Sequence, residues 1–76
     1  MKIIEKTANT TVVEIGGNTV LFSYKTPVAA LIPGRGYVRT DKFHSRTTSK
    51  HIGQFLDGVK AEIVPQAFLN NLSEGK

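Results

Sequence analysis

Short apolar runs that end at turn-forming residues dominate the first forty residues of the chain. Residues 10–15 (TTVVEI) and 19–24 (TVLFSY) are rich in β-branched and aromatic side chains, and Gly16-Gly17-Asn18 lies between them. Glycine and asparagine accept the positive φ angles that tight hairpin turns require, so this pattern predicts a β-hairpin. Apolar residues fall on both faces of each strand, which indicates partial burial on both sides of the sheet.

A second hairpin is predicted immediately downstream. Thr26-Pro27 interrupts the preceding strand, because proline has no N–H for a ladder hydrogen bond. The apolar run at residues 28–32 then reaches Pro33-Gly34-Arg35-Gly36 and continues as YVRT at residues 37–40. This order of residues indicates two strands joined by a four-residue loop.

Helical spacing of apolar residues begins near residue 48. Ile52, Phe55 and Leu56 stand at positions i, i+3 and i+4, so they form one buried stripe on a helix from about residue 48 to residue 57. Gly53 lies inside this helix. A glycine there indicates either close packing against the sheet or simple tolerance of the residue.

The whole pattern predicts a single α+β domain over residues 1–76. Residues 2–7 and 59–64 are weaker strands, and residues 66–72 form a short C-terminal helical turn. The predicted architecture is therefore a small antiparallel sheet of two hairpins with further strands, packed against one short helix. A chain of this length buries only about 60% of the surface that its unfolded form exposes, which favours self-association, so we expect a homo-oligomer.

Composition excludes several classes of function. The chain has no cysteine, so it contains no disulfide framework, no thiolate nucleophile and no thiolate metal site. No run approaches about 18 apolar residues, and we expect neither a signal peptide nor a transmembrane span. The sequence predicts a cytoplasmic protein with no metal and no cofactor.

The distribution of charge points to one segment. The chain has ten Lys or Arg residues and six Asp or Glu residues. Half of the basic residues lie between Arg35 and His51, where Asp41 is the single acidic residue, and the charges of the remaining chain balance. Cationic side chains, hydroxyl donors and a helix start together suit a phosphate-bearing partner.

The candidate phosphate-binding residues are the cations, the hydroxyl residues and one histidine of this segment: Arg39, Lys42, His44, Arg46, Thr47, Thr48, Ser49 and Lys50. Tyr37 and Phe43 are candidate stacking platforms for a base. Plainer interpretations stay open for all of them. Any hydroxyl of the Thr47-Thr48-Ser49 run can serve as the helix N-cap, the cations can form a solvated face, and the aromatic rings can pack in the core.

The two histidines invite an enzymatic interpretation that their spacing does not support. His44 is predicted in a loop and His51 in a helix, with no third metal ligand of matching spacing and no carboxylate pair nearby. A histidine pair with a lysine can in principle cleave a phosphodiester by acid–base catalysis, but spacing alone does not define such a site. We therefore expect no catalytic residues.

The run from Tyr24 to Leu56 contains YKTPVA, RTDK, SRTTSKHI and FL. In these residues the chain resembles a group of small proteins encoded mainly by tailed bacteriophages and prophages, which have no established biochemical function. The most specific part is TTSKHI followed by Phe55. The resemblance implies a viral origin and expression in a bacterial cytoplasm, and it brings no catalytic motif.

These observations predict a small non-enzymatic binding protein that captures a nucleic acid or a nucleotide on the surface from Arg35 to His51. The phage resemblance suggests that this partner belongs to a host-defence system. Two other classes stay open. One is an inhibitor whose basic face docks on an acidic host protein, and the other is a minor structural protein of a virion.

Overall fold

The computed structural model describes residues 2–74. In this part of the chain, six strands and two helices confirm the α+β class. The elements are β1 (Lys2–Lys6), β2 (Thr10–Ile15), β3 (Asn18–Ser23), β4 (Thr26–Ile32), β5 (Gly36–Thr40), α1 (Arg46–Leu56), β6 (Glu62–Val64) and α2 (Gln66–Ser73).

All six strands belong to one sheet, and their order in the sheet is their order in the chain. β1 to β5 pair as antiparallel neighbours, whereas β6 pairs with β5 in parallel. Parallel neighbours need a crossover connection, and α1 provides it between β5 and β6. The predicted hairpins β2–β3 and β4–β5 are confirmed, but the predicted antiparallel sheet is in fact mixed.

A turn at Tyr24 and Lys25 joins the two predicted hairpins into one continuous sheet. Phe22 of β3 pairs with Pro27 of β4 beside an irregularity in the register, and a bulge is one of the few places where a sheet accepts proline. Tyr24 has a φ of 58°, which is uncommon for a bulky residue. The predicted end of the strand is thus displaced by two residues, because the chain turns at Tyr24 and Lys25 and both Thr26 and Pro27 belong to β4.

Two strand boundaries also differ from the prediction. Gly36 pairs with Ile32, so residues 33–35 join β4 to β5 and the loop is one residue shorter than predicted. β6 begins at Glu62 rather than at residue 59. Residues 59–61 are needed to carry the chain from the end of α1 back to the edge of the sheet.

Helices cover the centre of the sheet on both faces, which explains the burial on both sides that the apolar pattern indicated, although only one packed helix was predicted. Val20 and Leu21 are neighbours in β3, yet Val20 packs in a cluster with α2 and Leu21 in a cluster with α1. The predicted C-terminal helical turn is thus a full helix, α2, which covers one face of the sheet. The α1 face contains Leu21, Val28, Ala29, Ile52 and Leu56, and the α2 face contains Val13, Ile15, Val20, Ala30, Val38, Val64 and Leu69.

The start of α1 corrects the predicted N-cap. The hydroxyl of Ser45 accepts a hydrogen bond of 3.1 Å from the backbone N–H of Thr48, so the helix begins at Arg46 and Thr47, Thr48 and Ser49 lie inside it. Serine caps a helix at least as well as threonine. Ser45, which precedes the three predicted candidates in the chain, takes this role.

Glycine within α1 has no packing role. Gly53 is exposed, and nothing outside the backbone of its own helix lies within 4 Å of the place where a Cβ would be. The interpretation of close packing against the sheet is wrong. The remaining interpretation is that the helix tolerates a glycine at this position.

The side chain of Gln66, the first residue of α2, connects three parts of the fold. Its amide nitrogen donates to the backbone carbonyl of Pro27 at 2.7 Å and to Oδ1 of Asn70 at 3.1 Å. Its amide oxygen accepts from the buried hydroxyl of Thr40 at 2.7 Å and from Nε2 of His44 at 3.0 Å. Because the carbonyl of Pro27 can only accept, the amide orientation is fixed and Nε2 of His44 carries a proton.

Replacing Gln66 with alanine should lower the free energy of unfolding by about 1–3 kcal/mol, although alanine is the better helix former. The change leaves the carbonyl of Pro27 and the buried hydroxyl of Thr40 without this partner. Asn70→Ala is the matched control, because Asn70 is exposed and contacts the same amide, and it should cost less than about 0.5 kcal/mol. Urea unfolding followed by circular dichroism compares the variants, and equal midpoints would contradict an anchoring role for Gln66.

Candidate functional site

Both helices begin at the same end of the sheet. α1 follows β5 and α2 follows β6, and these two strands run parallel. The backbone N–H of Asp41, after β5, bonds the carbonyl of Val64, the last residue of β6, at 2.9 Å. We call this region the basic end, and it consists of the turn at residues 24–25, the loop at residues 41–45 and the first turns of both helices.

The two ends of the sheet carry different charge. The strand directions place four cations at or beside the basic end together with two acidic residues, namely Lys6, Lys25, Lys42 and Arg46 with Glu5 and Asp41. They place four acidic residues and three cations at the opposite end, namely Glu14, Asp57, Glu62 and Glu74 with Lys2, Arg35 and Lys60. The N-termini of both helices add positive potential to the basic end. The two ends of the strands therefore differ in net charge, and the basic end is the more positive one.

Arg35 belongs to the opposite end and makes a structural contact. Its Nε and Nη2 donate to the two carboxylate oxygens of Glu62 at 3.0 and 2.9 Å, and its guanidinium carbon lies 4.7 Å from the centre of the Phe68 ring. The hydrogen bonds from Arg35 hold the pKa of Glu62 below its usual value. This pair is the one ion pair within residues 2–74, so Arg35 is separate from the other cations of the segment.

The cations of the basic end are available to a ligand. Lys25, Lys42 and Arg46 are exposed, and none has an acidic partner within the described part of the chain. Lys50 is also exposed and lies one turn further along α1. Their charges are therefore balanced by solvent ions or by a bound partner.

The first turn of α1 adds free backbone donors to these charges. Ser45 occupies the N–H of Thr48 with its hydroxyl and the N–H of Ser49 with its carbonyl. The N–H groups of Arg46 and Thr47 have no acceptor within residues 2–74. Free N–H groups at a helix start, beside cationic side chains, are the usual features of an anion-binding site.

Several predicted site residues are not exposed on this surface. Thr48 is buried, Ser49 and Arg39 are half-buried, and Nε2 of His44 bonds Gln66 on the side of α2. The predicted ligand set is thus divided. Lys42, Arg46, Thr47 and Lys50 are the exposed members that remain near the start of α1.

The two candidate stacking rings behave differently. Tyr37 packs edge-to-face on Phe55, with ring centres 5.7 Å apart, so core packing describes this residue. Phe43 lies in the loop of the basic end and is 71% exposed. Its ring is therefore accessible to a stacking partner.

Lys25 is a member of the basic end that the sequence did not indicate. It lies in the turn between β3 and β4, directly after the strained Tyr24. The short gap between two β-rich runs could have indicated a hairpin turn at Lys25. Pro27 argued against that turn, because proline is not usually found inside a central strand.

A chain of hydroxyl groups runs from the start of α1 into the α1 face of the sheet. The hydroxyl of Ser45 donates to Oγ1 of Thr48 at 3.2 Å, and Oγ1 of Thr48 lies 3.0 Å from Oγ of Ser23. Oγ of Ser23 lies 2.9 Å from Nδ1 of His51. Because Ser45 donates into this chain, donation can continue through Thr48 and Ser23 to Nδ1 of His51, and in that direction the imidazole proton is on Nε2.

The two histidines contact opposite sides of the sheet. His44 bonds Gln66 of α2, whereas His51 bonds Ser23 beneath α1. Within residues 2–74, no three His, Cys, Asp or Glu side chains are grouped in a way that could hold a metal ion. No helix in the same residues has the length and apolarity needed to cross a membrane.

Comparison with known proteins identifies the family of the chain. Residues 2–71 match the model of a family of unknown function, DUF8033. The chain belongs to this family. Neither the curated proteins nor the solved structures contain a match to it. The family description names no biological source, so the phage resemblance of residues 24–56 stays a prediction.

Thr48→Val should lower the free energy of unfolding by about 0.5–1.5 kcal/mol, the usual contribution of a buried hydrogen bond. Valine keeps the shape of threonine but removes the hydroxyl between Ser45 and Ser23. Thr47→Val is the matched control in the same helical turn, because Thr47 is exposed. Thermal and urea unfolding measure both variants. A loss of the same size in both would show that valine acts through helix propensity and not through the hydroxyl chain.

Proposed function

We propose that this chain is a small non-enzymatic binding protein that captures a phosphate-bearing partner, a nucleic acid or a nucleotide, at the basic end. The observation that carries the proposal is the set of exposed cations there, which have no acidic partner within residues 2–74. Cations outnumber acidic residues at the basic end, whereas four of the six acidic residues lie at the opposite end.

Three physical features of the basic end suit a phosphate-bearing partner. Arg46 offers a planar fork of donors that matches two phosphate oxygens. The N–H groups of Arg46 and Thr47 add directional donors at the positive end of the α1 dipole. Lys25 and Lys42 contribute further charge from neighbouring turns, as a polyanion requires.

A binding role agrees better with the site than catalysis does. Acid–base cleavage of a phosphodiester needs two titratable groups on either side of one phosphorus atom. His44 and His51 contact opposite sides of the sheet, so they do not form such a pair. A partner from a host-defence system, and action in a bacterial cytoplasm, rest on the resemblance to phage proteins and form part of the proposal.

Arg46→Ala and Lys25→Ala should each weaken binding of a labelled DNA duplex. Each should also lower the slope of log affinity against log salt by about 0.9 for every phosphate that the side chain neutralises. Lys60→Ala removes the same charge from the opposite end and should leave affinity and slope unchanged. Fluorescence anisotropy over a series of salt concentrations measures both quantities. Melting temperatures should match the parent, because all three residues are exposed.

A small nucleotide is tested with the same variants. Mono-, di- and cyclic nucleotides are screened by thermal shift. A nucleotide that binds should raise the melting temperature of the parent and of Lys60→Ala more than that of Arg46→Ala. If all variants fold and bind every ligand like the parent, the basic end is only a solvated face. The inhibitor of an acidic host protein then becomes the better proposal.

Self-association is a further part of the proposal, and β1 is the surface on which it depends. β1 forms an outer edge of the sheet, and its residues Ile3 and Ile4 are 56% and 54% exposed. Such an edge is a template for pairing with a second copy. A register irregularity between Ile3 and Glu5 opposes this pairing. The mass of the protein in solution therefore tests whether two copies associate.

Light scattering at tens of micromolar, a range typical for modest symmetric interfaces, should give at least twice the chain mass of 8.3 kDa. Ile4→Lys should reduce this value to that of one chain, because a lysine on an edge strand discourages edge pairing. A monomeric mass for the parent would contradict the proposal of a homo-oligomer.

A further inference from the structure

A cleft of about 110 Å³ lies beside α1 on the α1 face of the sheet. α1 packs on β3 and β4, so the part of this face that belongs to β1 and β2 is not covered by the helix. The flank of α1 forms one wall of the cleft through His51, Gln54 and Phe55. Glu5 of β1 and Thr10 of β2 form the other wall.

The floor of the cleft is apolar and its size limits the ligand. Val12, Leu21 and Phe55 line it, and Phe55 contributes an aromatic ring. A closed apolar cavity of about 150 Å³ accepts a benzene ring. A cleft that is somewhat smaller but open on one side therefore suits one planar ring that enters by its edge, with the rest of the ligand outside.

The rim of the cleft presents a defined set of donors and acceptors. His51 lines the cleft, and its Nε2 is an N–H donor in the tautomer whose Nδ1 accepts the proton of Ser23, 2.9 Å away. Glu5 offers a carboxylate, which only accepts at neutral pH, and Gln54 offers both a donor and an acceptor. The complementary ligand edge thus has N–H donors for Glu5 next to an acceptor for His51.

We propose that this cleft binds the hydrogen-bonding edge of a nucleobase and that guanine is the preferred base. This inference rests on the proposed function and names the ligand class more closely. Guanine carries two adjacent N–H donors, at N1 and N2, which a carboxylate accepts together, and its O6 accepts from the N–H of His51. Adenine, cytosine and uracil each lack that pair of adjacent donors beside a carbonyl.

Simpler ligands match only part of the rim. An amine satisfies Glu5 and leaves the Nε2 proton of His51 without an acceptor, whereas a carboxylate satisfies His51 and is repelled by Glu5. A planar base satisfies both groups and also brings apolar ring surface into contact with the lining residues Val12, Leu21 and Phe55. Unpaired polar groups at the rim are the source of discrimination between these ligands.

One lining residue of the cleft, Thr10, adjoins the basic end. Thr10 begins β2 directly after the turn at residues 7–9, and the carbonyl of Asn9 accepts a hydrogen bond of 2.6 Å from the N–H of Tyr24. The next residue, Lys25, belongs to the basic end. We therefore expect the phosphate of a nucleotide whose base fills the cleft to lie towards the exposed cations.

The test is a titration of the ¹⁵N-labelled protein with guanosine, adenosine and cytidine, which carry no phosphate. Guanosine should shift the amide signals of Thr10, Gln54 and Phe55, and the other two nucleosides should bind at least about tenfold more weakly. Glu5→Gln should weaken guanosine binding about tenfold, because it removes the paired acceptor. Glu14→Gln is the matched control, since Glu14 is an exposed carboxylate of the neighbouring strand outside the cleft.

Three results would overturn the inference: guanosine shifts no signals of the cleft, adenosine or cytidine binds as well as guanosine, or Glu5→Gln binds guanosine like the parent. Glu5 is exposed, so its variant should keep the melting temperature of the parent. A parallel titration with inorganic pyrophosphate separates the two proposals. Pyrophosphate shifts at Arg46 and Thr47 without guanosine shifts would refute the cleft alone, whereas the reverse would refute phosphate capture alone.

Discussion

The crossover from β5 through α1 to β6 is the constraint on which the rest of the structure depends. β3 and β4 are apolar on both faces, so each face of the sheet needs a helix. α1 covers one face on its way back along the sheet, and the parallel strand β6 then returns the chain to the end from which α1 started. α2 must therefore begin at the same end of the sheet as α1, on the opposite face. The positive ends of both helices lie at this end because of the topology, without any sequence motif for anion binding.

Buried polar contacts at the two helix starts fix how each helix sits on the sheet. Ser23 holds Thr48 of α1, and Thr40 together with the carbonyl of Pro27 holds Gln66 of α2. A buried hydroxyl or amide without a partner costs about 1–3 kcal/mol, so a shift of either helix along its axis is penalised. Within residues 2–74 no buried side-chain nitrogen or oxygen lacks a partner. Free polar groups thus collect at the exposed start of α1, where a ligand can reach them.

Local patterns allowed prediction of the elements but not of their long-range partners. The hairpins and the apolar stripe of α1 follow from turn residues and from spacing, which act over a few positions. The hydroxyls of Thr47 and Thr48 look equivalent in the sequence, and only Ser23, 25 residues away, turns the second one inward. The parallel pairing of β6 could not be predicted, because three residues carry no information about which edge they join. Lys25 was missed for a related reason, since a bulge that accepts Pro27 depends on the neighbouring strand.

The position of α1 determines both parts of the proposed binding surface. Because α1 lies over β3 and β4, its flank leaves a cleft towards β1, while its first turn projects Arg46 and Thr47 at the basic end. The hydroxyl chain links the two parts, since it runs from the N-cap Ser45 through Thr48 and Ser23 to Nδ1 of His51. The cap that aligns free backbone N–H groups for a phosphate is thereby connected to a side chain that lines the cleft. A ligand with a base at one end and a phosphate at the other would bind both the cleft and the first turn of α1.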